Sequence, residues 1–93
     1  MLKEPLEGVA AKRLIAKILA DGTVSFSGHA REEMAKDALE ATDCLSVLRG
    51  WWVEFSELVN GSWRHRVRTQ RLFVVVAFRS EDELVVVTAW RAS

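Results

Sequence analysis

The chain has one cysteine, Cys44, one proline, Pro5, and no tyrosine. A single cysteine excludes an internal disulfide and a cysteine-cluster zinc site within the chain, and it fits a reducing, cytoplasmic setting. The only histidines, His29 and His65, have no obvious third ligand beside them, so the chain is read as working without a metal. Nor is there a phosphate-cradling glycine loop or a glycine-framed serine, and no cofactor is implied. No apolar run reaches membrane-spanning length. The opening Met1-Leu2-Lys3-Glu4-Pro5 lacks the apolar centre of a signal peptide. An excess of charge of one sign is also missing: thirteen Lys and Arg balance thirteen Asp and Glu.

That balance conceals an asymmetry. Residues 1–61 hold seven basic and ten acidic side chains, a net −3, while residues 62–93 hold six arginines and three acids, a net +3. From Ser62 to Ser80 there are five arginines and no acid. Such a patch shapes the local field more than the total charge does.

Ninety-three residues suffice for one domain. Leu6 to Ala20 reads as an amphipathic helix, with Val9, Ala10, Leu14, Ile15, Ile18 and Leu19 on one stripe and Asp21-Gly22 as its stop. Thr23 to Phe26 reads as a short strand. Ser27 is the expected N-cap of a second helix over 28–37, with Ala30, Met34 and Ala38 facing inward. Thr42 is the expected cap of a third, which carries Cys44, Leu45 and Leu48 inward and closes at Gly50.

Beyond it the period changes to two. Trp52 to Leu58, Ser62 to Thr69, Leu72 to Arg79 and Leu84 to Arg91 read as strands, with Asn60-Gly61 as a tight hairpin turn. The valine-rich last two suit strands covered on both faces. The expectation is an α+β domain over 1–93: three helices packed on an antiparallel sheet of four or five strands.

Alternation puts Arg64, Arg66 and Arg68 on one strand face at spacings of about 7 Å, with His65 opposite. Three guanidiniums so placed repel one another unless an anion or carboxylates relieve them. Phosphate matches the planar guanidinium fork, and Glu54 and Glu57 on the preceding strand are the alternative partners. Two adjacent tryptophans, Trp51 and Trp52, cannot both point inward from a strand, which suggests a partner surface.

Two segments resemble a bacterial domain family of unassigned function: Ser27-Gly28-His29-Ala30-Arg31-Glu32-Glu33-Met34, and Asp43-Cys44-Leu45-Ser46-Val47-Leu48-Arg49-Gly50. The likeness continues through Arg64-His65-Arg66-Val67 and Val86-Val87-Thr88-Ala89-Trp90. In the order of its elements the chain is also similar to the motility quorum-sensing regulator toxins (MqsR) of the RelE-like ribonuclease group. The resemblance implies a RelE/MqsR-like fold and a cytoplasmic toxin of a bacterial toxin-antitoxin system. Such a toxin cleaves messenger RNA and is silenced by a cognate antitoxin with zinc-finger and helix-turn-helix domains. Many relatives carry tyrosine where this chain has His65. On this pattern His29 or His65 exchanges protons while the ribose 2′-hydroxyl attacks the adjacent phosphate. Arg66, flanked by Arg64 and Arg68, holds that phosphate, and Thr88 and Trp90 orient or stack a base. The alternatives are an RNA-binding module on the same fold that does not cut, and a protein-interaction domain anchored by Trp51 and Trp52.

Overall fold

A change of hydrophobic period divides the chain into a helical first half and a sheet-forming second half. The computed structural model describes residues 2–50 and 52–92. Helix α1 (Gly8–Asp21) leads into strand β1 (Thr23–Phe26), helices α2 (Gly28–Lys36) and α3 (Ala41–Gly50), and strands β2 (Trp52–Val59), β3 (Ser62–Arg68), β4 (Leu72–Ser80) and β5 (Glu83–Arg91).

The stop after α1 has a steric cause. The Gly22 N–H donates to the Ile18 carbonyl, and a Cβ on Gly22 would collide with the Asp82 carbonyl oxygen. Glycine is therefore what lets the helix end meet the β4–β5 turn. Ser27 caps α2 as expected, accepting from the Ala30 N–H at 3.0 Å.

All three helices differ at their boundaries from expectation, α1 running from Gly8 to Asp21 and not from Leu6 to Ala20. Alpha2 ends at Lys36, one residue before the expected 37, because Ala38 takes a φ of +53°. The Leu39 N–H reaches back to the Met34 carbonyl and the Ala38 N–H to that of Ala35, a Schellman closure built on alanine in place of glycine. Ala38 is consequently exposed, and Leu39 takes the inward place. Thr42 lies inside α3 rather than capping it. The Asp43 carboxylate folds back on the Glu40 N–H at 2.8 Å, doing the cap's work from within the first turn.

The strand order is β1-β5-β4-β3-β2. Beta2 to β5 form an antiparallel meander, and β1 joins its edge parallel to β5. The sheet is thus mixed, not wholly antiparallel. Two helices, α2 and α3, lie between β1 and the meander, and that intervening length allows β1 to run alongside β5 in the same direction. Asn60 and Gly61 both have positive φ, as a two-residue hairpin turn requires.

All three helices feed a single core. Ile15, Ile18, Ala30, Met34, Val47 and Leu48 meet Val67, Val74, Val76, Leu84, Val86 and Ala89 of the sheet. The valine-rich strands are therefore helix-covered on one face, not two. On the second face Val75 is only half-buried. Among the described residues no helix is long and apolar enough to cross a membrane.

Candidate RNA interface on the open face of the sheet

Strand alternation sends His65 and Val67 into the core and leaves Arg64, Arg66 and Arg68 on the second face. Two bulges determine what joins them. In β2, Val53 pairs with Val67 and Ser56 with His65, so residues 54 and 55 together oppose Arg66. Glu54 there meets Arg66 Nε at 2.7 Å and Arg68 at 3.5 Å.

The second bulge is decisive for the site. Val76 pairs with Val86 but Val75 pairs with Thr88, so Val87 is an extra residue in β5. Leu84 and Val86 face the core before it, and Ala89 does so after it. Strict alternation would have sent Thr88 and Trp90 into the core beside Val86. The bulge turns both onto the arginine face.

Ser27 secures this arrangement. Its hydroxyl donates to the carbonyl of Val87 at 3.0 Å while accepting from the Ala30 N–H, and its own N–H donates to the Val86 carbonyl. One side chain therefore starts α2 and satisfies the bulged residue.

The register aligns a row across four strands, Trp52–Arg68–Phe73–Trp90. Phe73 and Trp90 stack with centroids 5.0 Å apart and planes 10° from parallel. Arg68 lies 4.4 Å above the Phe73 ring and 6.0 Å from that of Trp52, and Arg66 lies 5.5 Å from Phe73. These are cation–π distances. Beside the row, Glu57, Val59, Arg64, Arg66, Val75, Thr88 and Trp90 line an open cavity of about 200 Å³.

The four residues expected to contact RNA, Arg64, Arg68, Thr88 and Trp90, thus share one face with Arg66. The histidines do not join them. His65 is 1% exposed; its Nε2 lies 3.0 Å from Glu4 Oε1 and its ring packs on Phe78. Enclosed in the core, it has no path to a phosphate held by the arginines. The proton-transfer role assigned to His65 is not supported by this geometry, because the alternation that exposes its neighbours buries it. His29 is exposed on the first turn of α2, and no hydrogen bond, ion pair or ring contact joins it to the arginines.

The sequence reading missed Phe73, which sits at the centre of the aromatic row. Its position two residues after the turn at 69–71, opposite Arg68, is a register signal that appears only once β3 and β4 are paired. Trp52 is 46% exposed; Trp51 lies outside the described residues. Cys44 is buried, and desolvation, the larger cause, with the nearby Asp43 carboxylate pushes its thiol up to about 11, which keeps it protonated and inert. Among the described residues no group of three or more His, Cys, Asp or Glu is placed to hold a metal ion. No protein-family model, curated protein or solved structure matches this chain.

Proposed function

We propose that this protein binds single-stranded RNA across the uncovered face of its sheet, as a member of the toxin class its motifs resemble. The observation that carries the reading is the four-strand row Trp52–Arg68–Phe73–Trp90 with Arg66 and Arg64 beside it. Aromatic rings on an open sheet stack bases, and a file of guanidiniums tracks the phosphates. The arginines stand about 7 Å apart along β3, close to the phosphate repeat of an extended strand. Glu54 draws Arg66 and Arg68 together in the free protein, and RNA phosphate competes with it for both.

Fluorescence anisotropy with a labelled mixed-base RNA tests this. Two arginine–phosphate contacts, at Arg66 and Arg68, give a slope of about −1.4 in log affinity against log salt, at roughly 0.7 per contact. Arg68→Ala lowers the magnitude of the slope by about 0.7. No binding at low salt refutes the reading.

The RelE/MqsR-like ribonuclease activity is a second reading. One observation favours it: Ser27, two residues before His29, ties the start of α2 to the Val87 carbonyl, next in the chain to Thr88. On this reading His29, not His65, carries the proton. RNA cut by the protein but spared by His29→Ala would establish cleavage; RNA bound and left intact favours binding alone.

A toxin of this class has a cognate antitoxin, and one surface is suited to a protein partner. The large hydrophobic side chains exposed among the described residues are Val9, Trp52 and Leu58. Trp52 and Leu58 lie on edge strand β2, Trp52 on the arginine face and Leu58, opposite Trp63, on the other, and Val9 is on α1, which packs beside that strand. An edge strand offers unpaired backbone groups to an added strand, with apolar side chains to receive it.

A further inference from the structure

Glu57 and Arg64 are direct cross-strand partners on the open face. Opposite charges so placed stand with Cβ atoms about 5 Å apart and ordinarily pair. Here no ion pair joins them, although both line the cavity beside Trp90. Arg64 Nε is shielded from solvent and has no hydrogen-bond partner. The cavity thus presents a carboxylate acceptor and a guanidinium donor side by side. It also has an aromatic wall (Trp90), apolar contacts from Val59 and Val75, and the Thr88 hydroxyl.

We propose that this cavity is a guanine-selective base subsite. It rests on the RNA-binding reading and adds to it a preference among bases. Guanine has, along one edge, two N–H donors at N1 and N2 followed by the O6 acceptor. The donors suit the Glu57 carboxylate and O6 suits the Arg64 guanidinium, while the ring lies against the Trp90 indole. Arginine to guanine O6 is a recurrent specific contact. Adenine turns its N1 lone pair toward the same carboxylate and offers no carbonyl to Arg64, so both contacts become unfavourable. The pyrimidines have a smaller ring to lay on the indole. The phosphates on either side of the selected base remain with Arg66 and Arg68.

The test uses the full chain and short oligouridines carrying one central guanosine, inosine or adenosine, read by anisotropy. Guanosine binds about tenfold tighter than adenosine, and inosine, which lacks the 2-amino donor, falls between. Glu57→Gln brings the guanosine and adenosine oligomers to similar affinity. Glu57 is an exposed strand residue, so this variant keeps the fold. If all three oligomers bind the native protein equally well, the guanine subsite is overturned and RNA binding stands. If none binds, the RNA reading falls and the subsite with it. A guanosine preference that survives Glu57→Gln also overturns the assignment.

Discussion

Replacing Ser27 by alanine removes two interactions at once. The first is the N-cap bond from the Ala30 N–H, at 3.0 Å, worth about 1 kcal/mol. The second is the bond to the Val87 carbonyl, also 3.0 Å and partly buried, worth about 1 kcal/mol. Together Ser27→Ala costs about 2 kcal/mol, which for a domain of this size lowers Tm by about 8–16 °C. Ser27→Asp separates the two, since a carboxylate caps a helix but cannot donate to a carbonyl; it should lose about 1 kcal/mol or slightly more. Ser27→Thr keeps both groups and stays within about 0.5 kcal/mol of the native protein. Thermal melts followed by circular dichroism give the stabilities. The near-ultraviolet signal of the stacked Phe73 and Trp90 reports the bulge, because Trp90 reaches that stack only through the extra residue at Val87. If Ser27→Ala and Ser27→Asp both melt within about 2 °C of the native protein, Ser27 does not hold the bulge and the explanation of the open face is wrong.

Ala38→Gly should stabilise the protein by about 1 kcal/mol in denaturant titration, since it relieves a left-handed alanine at φ +53°. Glu4→Ala leaves His65 Nε2 enclosed without its partner and should cost about 1–3 kcal/mol. Because the loss lies on the core side, the same variant should bind RNA with unchanged salt dependence. Cys44 should resist alkylation at pH 8 in the native state and react at once in denaturant. Its folded pKa is raised from 9.0 to about 11, so above pH 9 the unfolded chain releases a proton that the folded one retains. Its contribution is therefore lost as pH rises between about 9 and 11, and Cys44→Ala should flatten the decline in that window.

The aromatic row and the cation–π contacts depend on how four strands are brought into register, and this sets the limit of what could be read in advance. Arg64, Arg66 and Arg68 were legible as one face because period-two alternation within a strand is local. Glu54 was legible as a partner because only a tight Asn60-Gly61 hairpin separates β2 from β3. Thr88 and Trp90 were named from a motif, but no local property of Glu83–Arg91 would have turned them outward. Phe73 had no local signal, since its neighbours Arg68 and Trp90 come from other strands.

The sequence by itself determined the element types, the chain reversal at Asn60-Gly61, the Ser27 cap and the arginine alternation. Each follows from backbone sterics or hydrogen bonding within a few residues. Tertiary structure alone decided the parallel pairing of β1 with β5 and the bulge at Val87. It also decided the burial of His65 against Glu4, which is 61 residues away in the chain. In these cases a donor and its acceptor, or a side chain and the surface it packs on, come from distant parts of the chain. Only the folded arrangement brings their energies into play.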